Sequence, residues 1–262
     1  MRDTITIAMC GKGGVGKTTT AALMVKTLAE RGDKKILAID ADPAIGLSYA
    51  LGINVDKTVD DVRNNLIQKV KEKKIGDRDD TLRMLDYELF DVLVEQGKFS
   101  LLAIGRPEGE GCYCEVNTLL KDIIESLSSN FDVIIIDGEA GIEQINRRVM
   151  KIVDHLVLVS DTSSKGLNVA KVIKKVAHDN QVVDYKSTGL LLNRIRDEEE
   201  VNTIMKQQDI DLFGWIPEDE LIREYDFSGK SYLDFPETSP IGKVVQDILD
   251  SFIINGGAAM SG

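Results

Sequence analysis

Seven short runs of apolar positions, rich in β-branched residues and leucine, recur along the chain: 4–9 (TITIAM), 35–40 (KILAID), 99–105 (FSLLAIG), 132–138 (DVIIIDG), 155–160 (HLVLVS), 188–194 (TGLLLNR) and 210–217 (IDLFGWIP). Several of them scarcely alternate between apolar and polar, the pattern of strands covered on both faces rather than one. Helical patterns fill the gaps at Thr18 to Arg31, Cys114 to Ser128, Ile142 to Lys151, Ser164 to Asn180, Glu198 to Gln207 and about Ile241 to Ile253. Strands alternating with helices predict an α/β fold, one domain with a mostly parallel central sheet and helices on both faces.

Residues 53–98 break this rhythm, because the charge run KVKEKKIGDRDD separates two amphipathic pieces. The segment reads as a helical excursion on the rim of the sheet, where insertions are tolerated, and the charge run by itself as a solvated face. No internal repeat is visible, and the terminal NGGAAMSG, residues 255–262, reads as a flexible tail.

Composition narrows the function. With 43% hydrophobic and 29% charged residues in 262, the chain can bury a sizeable core. A net charge of −12 opposes binding to a phosphate backbone, so no nucleic-acid partner is expected. No apolar stretch approaches the roughly 18 residues of a membrane span, and the last helical pattern is neither basic nor unusually bulky, so no membrane partner is expected either. The first residues run straight into a β-rich segment with no leader pattern, and three cysteines are too few for a disulfide framework. The expected location is the cytoplasm.

The candidate chemistry begins at GKGGVGKTT, Gly11 to Thr19, which fits G-x-x-x-x-G-K-[ST] between a strand and a helix. Gly11, Gly13, Gly14 and Gly16, with Val15 among them, form a loop whose backbone N–H groups can wrap phosphate oxygens at a helix N-terminus. Lys17 is placed for the β- and γ-phosphates, Thr18 for Mg²⁺, and Thr19 continues the site. Lys12, a second lysine inside the loop, is not needed by an ordinary phosphate loop. In this form the loop resembles the deviant Walker A motif of the family that includes the nitrogenase iron protein, MinD, ParA and metal-insertion ATPases. The resemblance implies an ATPase in which Lys12 reaches across a nucleotide-sandwiched homodimer to the partner's phosphates. It implies further that Asp42, in IDADPAIGLS, orients the attacking water, and that Asp137, ending VIIID, is the Walker B acid near Mg²⁺. Switch II would then contain Ala140 and Gly141. Asn193 matches the adenine-contacting asparagine, and WIPEDE, including Pro217 and Glu218, matches the segment closing over the base. The iron protein carries another aspartate four residues beyond the switch I acid; here that position is Gly46.

Two of the three cysteines, Cys112 and Cys114, stand one residue apart in GEGCYCEVN. If that stretch is extended, both side chains leave the same face with Tyr113 opposite. Two thiolates are half of a four-ligand soft-metal shell, and a two-fold axis beside the loop would supply the other half. Spacing alone leaves ligands and inert thiols equally open, and a local disulfide would be strained. Cys10, at the end of the first strand, reads as structural.

The combination of KGGVGKT, the GRPEGEGCYC segment and DGEAGIE resembles the CooC type of nickel-insertion ATPase. That resemblance implies ATP/ADP and Mg²⁺ at the nucleotide site and Ni²⁺ or Zn²⁺ on the cysteine pair at a dimer interface. The implied client is a nickel enzyme, carbon monoxide dehydrogenase or acetyl-CoA synthase. Two other readings stay open: an iron-sulfur electron-transfer ATPase like the nitrogenase iron protein, and a nucleotide switch of the ParA or MinD kind.

Overall fold

Successive residues of the central strands bury their side chains on opposite faces, and this sorts the chain into two cores around one sheet. In β1 (Ile5–Cys10), Ile7 and Met9 enter one core, while Ala8 and Cys10 enter the other. The computed structural model describes residues 4–72, 78–106, 114–139, 149, 152–180 and 184–254. After β1 come α1 (Lys17–Arg31), β2 (Ile36–Asp40) and a short α2 (Gly46–Ala50). Then follow α3 (Val59–Lys71), α4 (Arg78–Val92), β3 (Val94–Glu95) and β4 (Phe99–Ala103). The chain continues through α5 (Cys114–Ser128), β5 (Val133–Asp137), β6 (Ile152–Ser160), α6 (Ser164–Asn180) and β7 (Asp184–Ile195). It ends with α7 (Glu198–Met205), β8 (Leu212–Pro217), α8 (Glu220–Ser228), a 3₁₀ turn (Tyr232–Asp234) and α9 (Pro240–Ile253).

The eight strands lie in the order β3-β4-β2-β5-β1-β6-β7-β8, parallel throughout except for β3, which pairs antiparallel with β4. Purely parallel pairing needs crossovers, and the crossovers place helices on both faces. Side chains of α1, α8 and α9 fill one core, and those of α3, α4, α5, α6 and α7 the other. The expected fold class is therefore the observed one, with β3 added at the edge.

The last helix turns its apolar positions into the core. Ile241, Val245, Ile248, Leu249 and Phe252 of α9 are all buried in the core beside α1. Phe252 meets Phe213 edge to face with ring centroids 5.1 Å apart. Ser239 caps the helix by accepting a hydrogen bond from Ile241 N, and Pro240 occupies its first turn. Among the described residues no helix is long and apolar enough to cross a membrane.

The excursion at 53–98 is more than a rim decoration. Val59, Val62 and Leu66 of α3 and Leu85 and Leu89 of α4 are buried in the same core as Leu120, Ile123 and Ile124 of α5. A reciprocal cap starts α3: Thr58 N donates to the Asp61 carboxylate at 2.7 Å, and Asp61 N donates back to Thr58 Oγ1 at 3.3 Å. Two predicted pieces fall outside the described residues, the helix at 142–151 apart from Val149 and the tail at 255–262.

Candidate nucleotide site

The sheet order brings together acids and glycines that are far apart in sequence. β1 lies between β5 and β6, and β2 lies on the other side of β5, so the ends of β1, β2 and β5 converge at one edge. Ligands in open parallel sheets bind at such carboxyl ends. The loop after β1 is the phosphate loop, β2 ends in Asp40 with Asp42 just beyond it, and β5 ends in Asp137, which is in register with Asp40.

Two glycines of the loop are sterically required. Gly11 has φ 154°, and a Cβ built there would overlap the Val159 carbonyl of β6. Gly16 has φ 93° and the Asn193 amide packed against it, so it too excludes a side chain. The loop thus turns directly into α1 with Gly16 as N-cap, leaving N–H groups of the first turn pointing outward. Lys17 is buried and folds back over the loop, its Nζ donating to the carbonyls of Gly11 at 3.1 Å and Lys12 at 3.3 Å. Its ammonium therefore lies at the mouth of the loop, where phosphate oxygens would be better acceptors. Lys12 is half-buried, and Gly13 and Gly14 are exposed.

Thr18 Oγ1 donates to Asp137 Oδ2 at 2.7 Å, closing the gap between α1 and β5. The other carboxylate oxygen of Asp137 is buried without a hydrogen-bond partner among the described residues. An unpartnered buried carboxylate oxygen is costly, and the cost appears in its ionisation: burial pushes the Asp137 carboxyl up to about 7, helped by the nearby Asp40 and Asp42 and opposed by Thr18 and Lys17. A hydroxyl beside a buried carboxylate with one oxygen to spare fits a hard divalent cation that keeps most of its waters, so Thr18 and Asp137 suit Mg²⁺.

The Asp42 carboxylate accepts the Ala44 N–H at 2.8 Å in a tight turn and is half-buried at the rim of the site. Gly46 packs against Thr18. A Cβ there would lie 3.6 Å from Thr18 Oγ1, so a longer acid at this position would reach the space beside Thr18.

On the other flank a cleft of about 380 Å³ opens between the start of α1 and the ends of β7 and β8. Gly16, Thr19, Asn193, Pro217 and Glu218, all expected from the sequence, line it together. Asn193 Nδ2 donates to Val15 O at 2.9 Å, and its Oδ1 accepts Arg194 N at 2.9 Å, so the side chain is fixed against the loop. The cause is local. Arg194 has φ 61°, the β7–β8 register shifts between Asn193 and Ile195, and such an irregularity re-aims a strand-end side chain.

The cleft also contains residues that sequence reasoning missed. Arg194, Ile222, Arg223 and Asp226 were not expected there, while Asp219 belongs to the expected WIPEDE segment; together these residues complete its wall, four of them from α8 or its cap. The signal was present: Asp219 accepts Ile222 N at 3.0 Å, the N-cap arrangement that an acid before an apolar-periodic segment announces. Asp226 is tied to the phosphate-loop helix, accepting Thr19 Oγ1 at 3.1 Å and the Tyr232 hydroxyl at 2.7 Å. Asp40 was missed as well, although it ends a buried apolar strand as Asp137 does.

The cysteine expectation is only partly visible. Cys114 is the first residue of α5, so the backbone there is helical and not the extended strand assumed for the pair. Cys112 lies outside the described residues, as do Ala140 and Gly141. Among the described residues no group of three or more His, Cys, Asp or Glu is placed to hold a metal ion. Cys10 is fully buried in the core, as expected.

Comparison with known proteins agrees with this geometry. Residues 3–185 match the family model described as an AAA domain. The chain is 38% identical over 255 residues to an uncharacterized ATP-binding protein of Methanocaldococcus jannaschii, covering 94% of this chain and 98% of that one. It is 29% identical over 238 residues to the carbon monoxide dehydrogenase accessory protein CooC of Rhodospirillum rubrum, covering 87% and 89%. Among solved structures, the septum site-determining protein MinD of Pyrococcus horikoshii, complexed with Mg-ADP, superposes with a TM-score of 0.67 at 23% identity, covering 97% and 98%. The chain belongs to the AAA-domain family and shares the fold of the MinD structure.

Proposed function

We propose that the chain is a Mg²⁺-dependent ATPase acting as a metallochaperone, with Ni²⁺, or Zn²⁺ in its place, as cargo. The observation that carries the ATPase reading is the Thr18–Asp137 pair with its spare buried oxygen, set beside the inward-folded Lys17. The cargo reading rests on Cys112 and Cys114 and on the similarity to an accessory protein of carbon monoxide dehydrogenase. The client is then carbon monoxide dehydrogenase or the related acetyl-CoA synthase.

ATP enters with its base in the Asn193–Pro217 cleft, and Lys17 exchanges the Gly11 and Lys12 carbonyls for phosphate oxygens. Thr18 and Asp137 would hold Mg²⁺, which would supply positive charge to offset that of the phosphates. Asp42 orients a water whose oxygen bonds to the γ-phosphorus as the bridge to the β-phosphate breaks; the water's proton leaves through the Asp42 carboxylate or the released phosphate. Lys12 of a second copy stabilises the charge developing at that bridge. The same dimer brings two Cys112–Cys114 pairs together, so nucleotide and cargo favour one state and each tightens the other's binding.

Phosphate release and metal content, measured with mass in solution, test this directly. Wild type with Ni²⁺ and a non-hydrolysed ATP analogue is expected to form a dimer holding one metal, and the Cys112→Ser/Cys114→Ser variant a dimer holding none. A nucleotide-dependent dimer without metal in either protein would leave a nucleotide switch and end the cargo reading. Iron-sulfur absorbance after anaerobic reconstitution would favour electron transfer in its place.

A further inference from the structure

Asp40 makes bonds that the nucleotide site does not require of it. It is the last residue of β2 and fully buried. One carboxylate oxygen accepts both the backbone N–H and the hydroxyl of Ser48, each at 2.9 Å, and the other faces Asp42 N at 3.4 Å. Ser48, in α2, is itself buried. A single side chain therefore clamps both ends of the loop that presents Asp42.

The loop between these bonds is strained and functionally placed. Ile45, a β-branched residue, sits at φ 55°, ψ 45°, a left-handed conformation that costs energy and persists only when its surroundings hold it. Ile45 N donates to Asp42 O at 3.0 Å, and Ala44 N to the Asp42 carboxylate. The neighbouring Gly46 rests against Thr18. On the far side of Asp40 the backbone is locked to the sheet, with Ile104 N donating to Asp40 O at 2.9 Å and Ala41 N to Asp137 O at 3.0 Å. A shift of the α2 end of the loop away from β2 would break the Asp40–Ser48 bonds.

From this arrangement we infer that Asp40, through Ser48, is a positioning residue that sets where the Asp42 carboxylate points. The inference rests on the proposed role of Asp42 in hydrolysis. Asp40 acts by fixing a short turn, its carboxylate oxygens taken up by Ser48 and by Asp42 N, and small misplacements of a catalytic group are costly.

The test uses Ser48→Ala, which keeps the N–H and the fold but removes the hydroxyl bond, alongside Asp40→Asn, Ser48→Thr, Asp42→Asn and the Ser48→Ala/Asp42→Asn double variant. Single-turnover hydrolysis should fall about tenfold or more in Ser48→Ala, with the ATP dissociation constant within about threefold, and Ser48→Thr should recover most of the rate. In the Asp42→Asn background, Ser48→Ala should cost nothing further, because residues that act as one unit are not additive. Amide hydrogen exchange provides a readout independent of activity: Ala44 and Ile45 should lose about tenfold or more of their protection while α1 keeps its own. Equal losses in both backgrounds, or unchanged protection at Ala44 and Ile45, would overturn the positioning role alone. A wild type that does not hydrolyse ATP, or an Asp42→Asn variant at the wild-type rate, would overturn the proposed function and this inference with it.

Discussion

Asp137 meets opposing demands. Its buried carboxylate has a folded-state pKa near 7 against 3.8 when unperturbed. A raised pKa means that the folded state holds its proton more tightly, so this stabilising contribution is complete below 3.8 and lost as pH rises through about 7. In magnesium-free buffer at alkaline pH the charged acid therefore works against folding. Asp137→Asn should raise the melting temperature under those conditions by an amount equivalent to roughly 2–4 kcal/mol, the gain disappearing at low pH. The same variant should lose Mg²⁺-dependent hydrolysis. A calorimetric pH series in EDTA checks the first outcome and a phosphate-release assay the second. Gly11 shows a different residue-scale limit, since the Val159 carbonyl occupies the space a side chain would need.

At the scale of elements, the contact between α9 and the sheet includes a buried histidine. His155 of β6 has its Nδ1 2.8 Å from Ser187 Oγ of β7, and its ring packs on Phe252 of α9 with centroids 5.0 Å apart. The ring is thus held between β7 and α9, where burial favours the neutral imidazole. Burial lowers its pKa below 6.5, the Lys186 ammonium adds to this, and the Asp154 carboxylate and Phe252 carbonyl oppose it. Lys186 is itself paired with Asp154 at 2.5 Å. Because the folded pKa is depressed, the unfolded chain takes up the proton first as pH falls below 6.5, and stability falls with it. Between neutral pH and about pH 5, wild type should lose more stability than His155→Gln, read as the difference between their urea midpoints so that carboxylates common to both cancel. Parallel pH profiles would contradict this.

For the whole molecule, the strand order decides which residues meet. β1, β5 and β2 are adjacent in the sheet although more than a hundred residues separate the first two, and this adjacency puts Lys17, Thr18, Asp42 and Asp137 at one edge. Lys12 is the exception. It sits half-buried in the same loop, yet within one copy the mouth of the loop is already occupied by the Lys17 ammonium. Lys12→Ala should leave ATP affinity within a few fold of wild type and lower hydrolysis by about a hundredfold or more, with the loss rescued in part by mixing with an Asp42→Ala copy that still carries Lys12. Equilibrium binding and mixed-subunit kinetics separate the two effects. A fall in affinity with no change in turnover would place Lys12 in its own site instead.

Much of this was legible in the amino-acid sequence. Seven strands were visible because a parallel sheet buried on both faces demands continuous apolar runs, and α5 and α6 because their apolar positions repeat at the helical period; both begin and end at the expected residues. The phosphate loop was readable because wrapping phosphate with backbone N–H groups needs glycines at fixed spacing. β3, α2 and α8 were not, because short elements carry too few positions to show a period and are held by distant partners: Ser48 by Asp40, and Asp226 by Thr19 and Tyr232. The excursion looked like surface because its charge run dominates the local pattern, whereas its buried residues find their partners on α5. Sequence by itself determined the fold class and the loop that binds nucleotide, since both follow from local pattern and backbone geometry. Only the tertiary structure decided that Asp137 has a spare buried oxygen, that Asn193 is braced against Val15, and that Asp40 clamps the Asp42 loop, because each depends on which distant side chains the sheet order brings within hydrogen-bonding reach.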